Sequence, residues 1–432
     1  MKLGEIVSFC PLRSGSHKGT GMEVKAGYKQ TEVGVIPEDW NIHTLKELSD
    51  KIMVGIASAV THAYRNKGVV LLRNQNIKSG YLDDGDVLYL DPKYELVFKN
   101  KRLKTGDLLT ARTGYPGTTC VVPSKYKSAQ SFTTLITRPN QMRIDSTYLC
   151  YYINSEKGQC FFEQNKIGGG QKNVNAGALQ TMPIPLPSLP EQRAIATALA
   201  DVDALITSQD KLIAKKRDIK QAAMQELLTG KRRLPGFSGE WETRQLKSVV
   251  RDFIVPMRDK PKIFSGQIPW CRIEDFDGKY LTESKSGQHV EDSTVRGMNL
   301  KVYPTGTLLV SCSADLGHCA IVGRPLVSNQ TFIGLVVDAS LASNEFFYYY
   351  MTFKADELNN LSSGTTISYL SREQFELFDV RIPPKKKEQT AIATILSDMD
   401  ADLTALEQKR DKTKAIKQGM MQELLTGRIR LV

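Results

Sequence analysis

Two stretches of the chain space their apolar residues in a 4-3-4 pattern. Ile195, Leu199, Val202 and Ile206 do so in the first, and Ile392, Leu396, Met399 and Leu403 in the second. That period keeps one stripe of a helix turned toward a partner, as in the seam of a coiled coil. The pattern falters at Lys216 and Thr413, then resumes with Ile219 and Leu227 and with Ile416 and Leu424. Apart from Gly419, neither stretch is broken by Gly or Pro before its closing Thr-Gly pair. The terminal Gly230 and Gly427 suit a left-handed C-cap. At the first entry, Ser188 and Glu191 are spaced for a capping box, with Pro190 tolerated in the first turn. About 40 residues at ~1.5 Å per residue predict a helix of roughly 60 Å in each case.

The two stretches are copies. Residues 191–234 and 388–431 align without a gap, 197 positions apart, with 24 of 44 residues identical. Weaker echoes precede them: Trp40–Lys46 matches Trp241–Lys247, Leu71–Leu82 matches Trp270–Leu281 with Arg73 opposite Arg272, and Lys104–Leu109 matches Pro304–Leu309. A period near 200 residues is far above the ~20–50 of a solenoid. The chain therefore reads as block, helix, block, helix. The helices either pack on their own blocks or on each other. If on each other, an antiparallel pair needs the shorter connection, because a parallel pair would make block two carry the chain back along the whole rod.

Each block carries short runs rich in β-branched residues, such as Val69–Leu72, Leu108–Ala111, Cys120–Pro123, Leu308–Ser311 and Gly334–Asp338, separated by turn residues. Tyr148–Ser155 and Glu345–Phe353 read as short helices with aromatic faces. The expected fold is α+β: two globular α/β domains joined by two long antiparallel coiled-coil helices, an internal repeat with a pseudo-two-fold. The expected boundaries are an N-terminal extension at 1–27, domain one at 28–187, helix one at 188–234, domain two at 235–384 and helix two at 385–432. Residues 1–27 have no counterpart in the second repeat, and Met22 is a plausible alternative start.

Composition narrows the class. With 432 residues, 41% hydrophobic and 24% charged, the chain can bury two to four cores. No apolar run approaches a membrane span, and Met1–Cys10 lacks a signal-peptide core. Seven cysteines form no Cys-x-x-Cys pair, which fits a reducing cytoplasm better than a disulfide scaffold. The net charge of +11 makes a polyanion a plausible partner, and it is unevenly spread: residues 28–190 hold +6 and residues 191–234 +3, while 235–387 and 388–432 are neutral. There is no Gly-Lys-Ser/Thr phosphate loop and no Asn/Asp-Pro-Pro-Tyr/Phe string of the kind that grips an extruded base. Gly168-Gly169-Gly170 reads as a flexible loop, and Arg381-Ile382-Pro383-Pro384 as the stop before helix two. Cys312, His318 and Cys319 lack a fourth metal ligand. The pairs Asp201/Asp203 and Asp398/Asp400 diverge on a helix and read as solvated or partner-facing. No catalytic residue, cofactor site or metal site is expected.

The loops suit base reading. Arg112-Thr113-Gly114-Tyr115 follows a strand, Gln171-Lys172-Asn173 follows the glycine run, and Thr365, Thr366 and Tyr369 occupy the same place in block two. Arg, Gln and Asn can each make two hydrogen bonds to a base edge, while Lys, Ser and Thr hold phosphates. With the aligned Arg73 and Arg272, and with Ser311 and Ser313 at the end of a strand, these are the candidate DNA-binding residues.

The helix entry PLPSLPEQRAIATALADVDALI, its exit QELLTGKRRLPGFSGEW and the opening GYKQTEVGVIPEDW resemble the specificity subunit of type I restriction–modification systems. The resemblance covers 28–432. It implies two target recognition domains that each read half of a split DNA sequence, and an antiparallel coiled coil that sets their separation. It implies no catalysis by the subunit itself. It further implies docking to modification subunits, expected to be two, which methylate adenine N6 with S-adenosylmethionine, and to restriction subunits that use ATP and Mg²⁺. Two other readings are an unfamiliar methyltransferase or nuclease hidden in one block, and a coiled-coil scaffold that binds no nucleic acid.

Overall fold

The computed structural model describes residues 25–166, 173–256, 260–313, 316–362 and 369–431. The chain divides into two compact units. One comprises residues up to Ser208 together with those from Arg410 onward, and the other runs from Gln209 to Lys409. Both long helices are continuous, Leu189–Leu227 and Lys386–Leu424. Each unit thus contains one block, the start of the helix that follows it in the chain, and the end of the other long helix.

In the first unit, Leu108–Thr110 and Thr119–Val121 form a hairpin that continues through Leu135–Pro139 to Ser49–Val54, all antiparallel. A second sheet pairs Val69–Arg73 in parallel with Gln130–Phe132. The second unit repeats this plan. Its hairpin Leu308–Ser311 and Cys319–Val322 continues through Phe332–Val337 to Val250–Ile254, and Ile268–Cys271 runs parallel to Val327–Ser328. The register repeats as well, with Leu108 opposite Val121 and Leu308 opposite Ile321. The aromatic helices are Ser146–Asn154 and Asn344–Phe353. They start at Asp145 and Ser343, whose side chains accept the first free N–H groups.

Each aromatic helix is tied to the entry of a long helix by a buried glutamine. Gln192 Oε1 accepts the Asp145 N–H at 2.8 Å, and its Nε2 donates to the Pro187 carbonyl at 2.9 Å. Gln389 does the same for the Ser343 N–H at 3.0 Å and the Pro383 carbonyl at 3.0 Å. Both glutamines are fully buried, so an amide left unpaired there would cost ~1–3 kcal/mol. That is the physical content of the Glu-Gln dipeptide found at both helix starts.

The helix segments within each unit run antiparallel. In the first unit Asp203 pairs with Lys417 at 2.6 Å and Glu191 with Arg430, so one number rises as the other falls. In the second, Lys216 pairs with Asp402, Lys220 with Asp400 and Arg233 with Glu388. The heptad seam does not resume at Ile219 and Ile416, which are 46% and 50% exposed. It continues without a break through Gln209, Ile213, Lys216 and Lys220, and through Leu406, Arg410, Thr413 and Lys417, all partly or fully buried. Polar residues hold these seam positions because Lys220 and Lys417 turn inward. Lys417 lies 5.3 Å from the Tyr151 ring centre while Tyr151 donates to Asp203 at 2.8 Å. Lys220, 5.6 Å from Tyr349, and Asp400 repeat that cluster, with Tyr349 donating at 2.8 Å. Asp203 and Asp400 are therefore partner-facing, while Asp201 and Asp398 are solvated.

The capping box expected at Ser188 forms by half. Ser188 Oγ accepts the Glu191 N–H at 3.4 Å, but the Glu191 carboxylate does not turn back. It accepts from Trp40 Nε1 at 3.2 Å and from Arg430 Nη2 at 2.9 Å. Arg430 also holds Asp39 with two bonds of 2.9 Å and lies over the Trp40 ring. Arg430 and the turn carrying Asp39 and Trp40 hold each other in place. Arg233 binds Glu388 with bonds of 2.6 and 2.7 Å in the second unit.

Both long helices end on a left-handed glycine, Gly230 at φ +72° and Gly427 at φ +69°. A Cβ on Gly427 would stand 2.5 Å from the Pro37 ring. Gly427→Ala is therefore expected to lower stability by about 1–3 kcal/mol in thermal unfolding. Gly419→Ala, where a Cβ meets open space in mid-helix, should raise it by about 0.5–1 kcal/mol.

Another prediction comes from Glu95, a buried carboxylate whose oxygens accept from Arg102 at 2.8 and 2.6 Å and from Gln130 at 2.6 Å. The Arg102 hydrogen bonds hold its pKa below the ordinary 4.5. A carboxyl whose pKa is depressed by folding contributes stability above its unfolded value and loses it as pH falls. Glu95→Gln should therefore cost about 1–3 kcal/mol at neutral pH. The gap from the parent should close on acidification below about pH 4.5, as read by denaturant unfolding at a series of pH values.

Candidate nucleic-acid interface

Equivalent hydrogen bonds flank the turns of both hairpins. In block one, Ala111 N–H donates to the Thr118 carbonyl at 2.8 Å and Gly117 N–H to the Ala111 carbonyl at 3.0 Å. In block two, Ser311 N–H donates to His318 at 2.8 Å and Gly317 N–H to Ser311 at 3.3 Å. Gly117 and Gly317 have φ of +99° and +82°, and a Cβ on either would collide with Phe162 or Ala355 at about 2.5 Å. Glycine is required at both by conformation and by space. The turn places Arg112 and Thr113 of block one where block two has Cys312 and Ser313.

Three loops meet at the block-one tip. Asn74 Oδ1 accepts the Arg112 N–H at 2.8 Å, and Asn74 Nδ2 donates to Thr133 Oγ1 at 3.2 Å. The Arg112 carbonyl accepts from Val174 N–H at 3.4 Å, which brings Asn173 alongside. Arg73, next to Asn74, ends its strand with its N–H held by Asn76 Oδ1 at 2.8 Å and its guanidinium on Asp86 at 2.8 Å. Arg73, Arg112, Thr113 and Asn173 are thus assembled in one place, and Tyr115 projects from the tip at 85% exposure.

Block two is built alike, with other side chains. Arg272 N–H is held by Asp275 Oδ2 at 2.6 Å, the counterpart of the Arg73 turn. Ser313 bridges to Tyr369, and Leu370 N–H donates to the Cys312 carbonyl at 2.9 Å. Ser311 is fully buried and its hydroxyl donates to the Ser313 carbonyl at 3.0 Å, so it holds the turn from within. Among the described residues no hydrogen bond joins Arg272 to this turn. Gln171, Lys172, Thr365 and Thr366 lie outside the described residues.

Arg73, Arg112 and Arg272 share one feature: among the described residues they are the arginines whose Nε is buried without a hydrogen-bond acceptor. Arg272 Nε does lie 3.2 Å from Glu274 Oε1, but off the line a hydrogen bond needs. A buried N–H left unpaired costs ~1–3 kcal/mol.

Burial pushes the Cys312 and Cys319 thiols up to about 12, which keeps them protonated at neutral pH. Among the described residues, no three His, Cys, Asp or Glu side chains are grouped to hold a metal ion, and no helix is long and apolar enough to cross a membrane.

The family model of the type I restriction modification DNA specificity domain matches this chain twice, over residues 37–215 and 238–418. The chain belongs to that family. As a type I restriction–modification specificity subunit, it is a DNA-recognition protein. It is 26% identical over 425 residues to the putative type I restriction enzyme MjaX specificity subunit of Methanocaldococcus jannaschii, covering 94% of this chain and 97% of that one. Over 174 residues it is 27% identical to the EcoprrI specificity subunit of Escherichia coli, 39% of this chain and 43% of that one. Two solved structures share the fold. One, from a study of complex assembly and conformational transition in the type I restriction–modification system, has a TM-score of 0.58 at 18% identity, covering 91% of this chain and 99% of that one. The other, the S subunit of such a system from M. genitalium, scores 0.56 at 15% identity, covering 89% and 96%.

Reading the specificity subunit from sequence missed Asn74, whose side chain knits the block-one loops. The internal repeat gave no signal for it, since block two has Ile273 at that position. Asn74→Ala removes the acceptor of the Arg112 N–H. Hydrogen exchange at the Arg112 amide should quicken by about fivefold or more, the equivalent of ~1 kcal/mol. An unchanged rate would mean that Asn74 does not hold this tip.

Proposed function

We propose that this specificity subunit reads a bipartite site on double-stranded DNA, block one taking one half and block two the other. The observation that carries this reading is two copies of one scaffold, matched in hairpin register and turn glycine, whose tips carry different side chains. Equivalent hairpins hold Arg112-Thr113 in one block and Cys312-Ser313 in the other. Different donors at equivalent places read different base edges, so the two halves of the site differ. Phosphate contacts from Lys, Ser and Thr fix the register.

The long helices set the interval between the halves. At ~1.5 Å per residue, a helix of 39 residues is about 58 Å long. That suffices to carry two readers to half-sites about one duplex turn, ~34 Å, apart. Lengthening both helices changes the unread gap, whereas exchanging one block changes one half-site. The bond-making belongs to partners: two modification subunits that methylate adenine N6 with S-adenosylmethionine, and restriction subunits that use ATP and Mg²⁺. The subunit itself carries no catalytic residue.

The test is a gel shift with the chain and its modification subunits on duplexes in which either half of the site is altered. Arg112→Ala should weaken binding to one half by about 1–3 kcal/mol and leave discrimination at the other intact. Indifference to sequence at both halves would reject the reading. Equal loss at both would reject the assignment of block one, and turnover by the chain alone would reassign it as an enzyme.

A further inference from the structure

The positive charge of block one is not spread evenly over it. Residues 95–138 hold eight Lys and Arg against Glu95 and Asp107, which is the whole net charge of 28–190. The equivalent stretch of block two, 294–338, holds three cations and two anions. Only Arg112 of the eight stands at the tip of the hairpin. Five of the others surround an open cavity of about 710 Å³ at the hairpin's other end: Lys99, Arg102, Lys104, Lys127 and Arg138.

Every lining side chain except Leu103 carries a hydrogen-bond donor. No carboxylate lines the cavity, and Thr105 and Ser128 add hydroxyls. The two acids of the stretch are buried behind it and already used. Glu95 is held by Arg102, and Asp107 accepts from Arg138 with two bonds of 2.8 Å. These pairs lock both guanidiniums in place and leave their charge partly compensated. Lys99, Lys104 and Lys127 are exposed, and among the described residues none of them forms an ion pair. Three ammonium groups without an ion-pair partner line one cavity, and an anion there would relieve their mutual repulsion.

We infer that this cavity is a second nucleic-acid contact that binds backbone phosphates without regard to sequence, at a place distinct from the reading tip. Phosphate fits the lining because compact ammonium charges and hydroxyl donors recognise point charge rather than base edges. At ~3.3 Å per residue, the eight residues from Lys104 to Arg112 set an upper limit of about 26 Å between the two contacts. Block one thus holds DNA by its backbone at one end of the hairpin and reads bases at the other. Block two lacks the equivalent charge, so the non-specific part of the affinity comes mainly from the first half of the molecule. The inference rests on the DNA-binding reading above.

The test measures DNA affinity of the complex with its modification subunits across a salt series, comparing the parent with K99A/K104A/K127A. The probes are a duplex carrying the site and one with both halves scrambled. Each lost phosphate contact should flatten the slope of log K against log salt by about 1. The triple variant should therefore lose about 2 to 3 from the slope on both duplexes, while the affinity ratio between them stays unchanged. K99R/K104R/K127R should keep the parent slope. An unchanged slope in the alanine variant overturns the inference, and so does loss of subunit assembly with the slope intact, which would mean that an acidic protein surface occupies the cavity. Failure of the DNA-reading proposal shows separately, as a parent that does not distinguish the two duplexes.

Discussion

The structure depends on a closure between each block and the end of the long helix that does not follow it in the chain. The last residues of the second long helix pack on the first block, where Arg430 joins Glu191, Asp39 and the Trp40 ring, and Gly427 fits against Pro37. Tyr28 donates to the Gly427 carbonyl at 3.1 Å, tying the start of the described chain to its end. The end of the first helix packs on the second block through Gly230 against Trp241 and Arg233 against Glu388. Each block is thus completed by the end of the long helix that does not follow it in the chain. The requirement for left-handed glycine and buried charge at both ends explains why Thr-Gly and the Glu-Gln dipeptide recur in both copies.

Much of this was legible in the sequence because it is duplicated. The helix starts, the aromatic helices and the strands around Leu108 and Leu308 all lie close to where the residue pattern puts them. The seam was misread at Ile219 and Ile416, since an apolar residue is a stronger signal than a lysine. Lys220 and Lys417 hold the seam positions because each has an Asp and a Tyr ring waiting across the interface. A pairing between residues about 200 positions apart leaves no local trace. The tip was legible as a place, through Arg112 and Arg73. Asn74, which assembles it, was not, because a single polar residue after a strand looks like any other turn residue.

The two blocks differ at their hairpin tips. Their sheets, registers and turn glycines match, which keeps the tips in equivalent positions on their scaffolds. The side chains at those tips and the surrounding charge do not match. A scaffold rigid in its hydrogen bonds and variable at its hairpin tip can change what it reads without changing how it folds. On the proposed reading, the unequal charge of the halves separates holding from reading, with non-specific grip concentrated in block one.

The central claim is that two unlike readers are held at one fixed interval. It is tested most directly by mapping methylated adenines in DNA exposed to the assembled complex with its modification subunits. The expected map shows two short specified segments of different sequence, one methylated adenine in each, and an unspecified gap of constant length between them. A single contiguous motif, or a gap that varies from site to site, would contradict it.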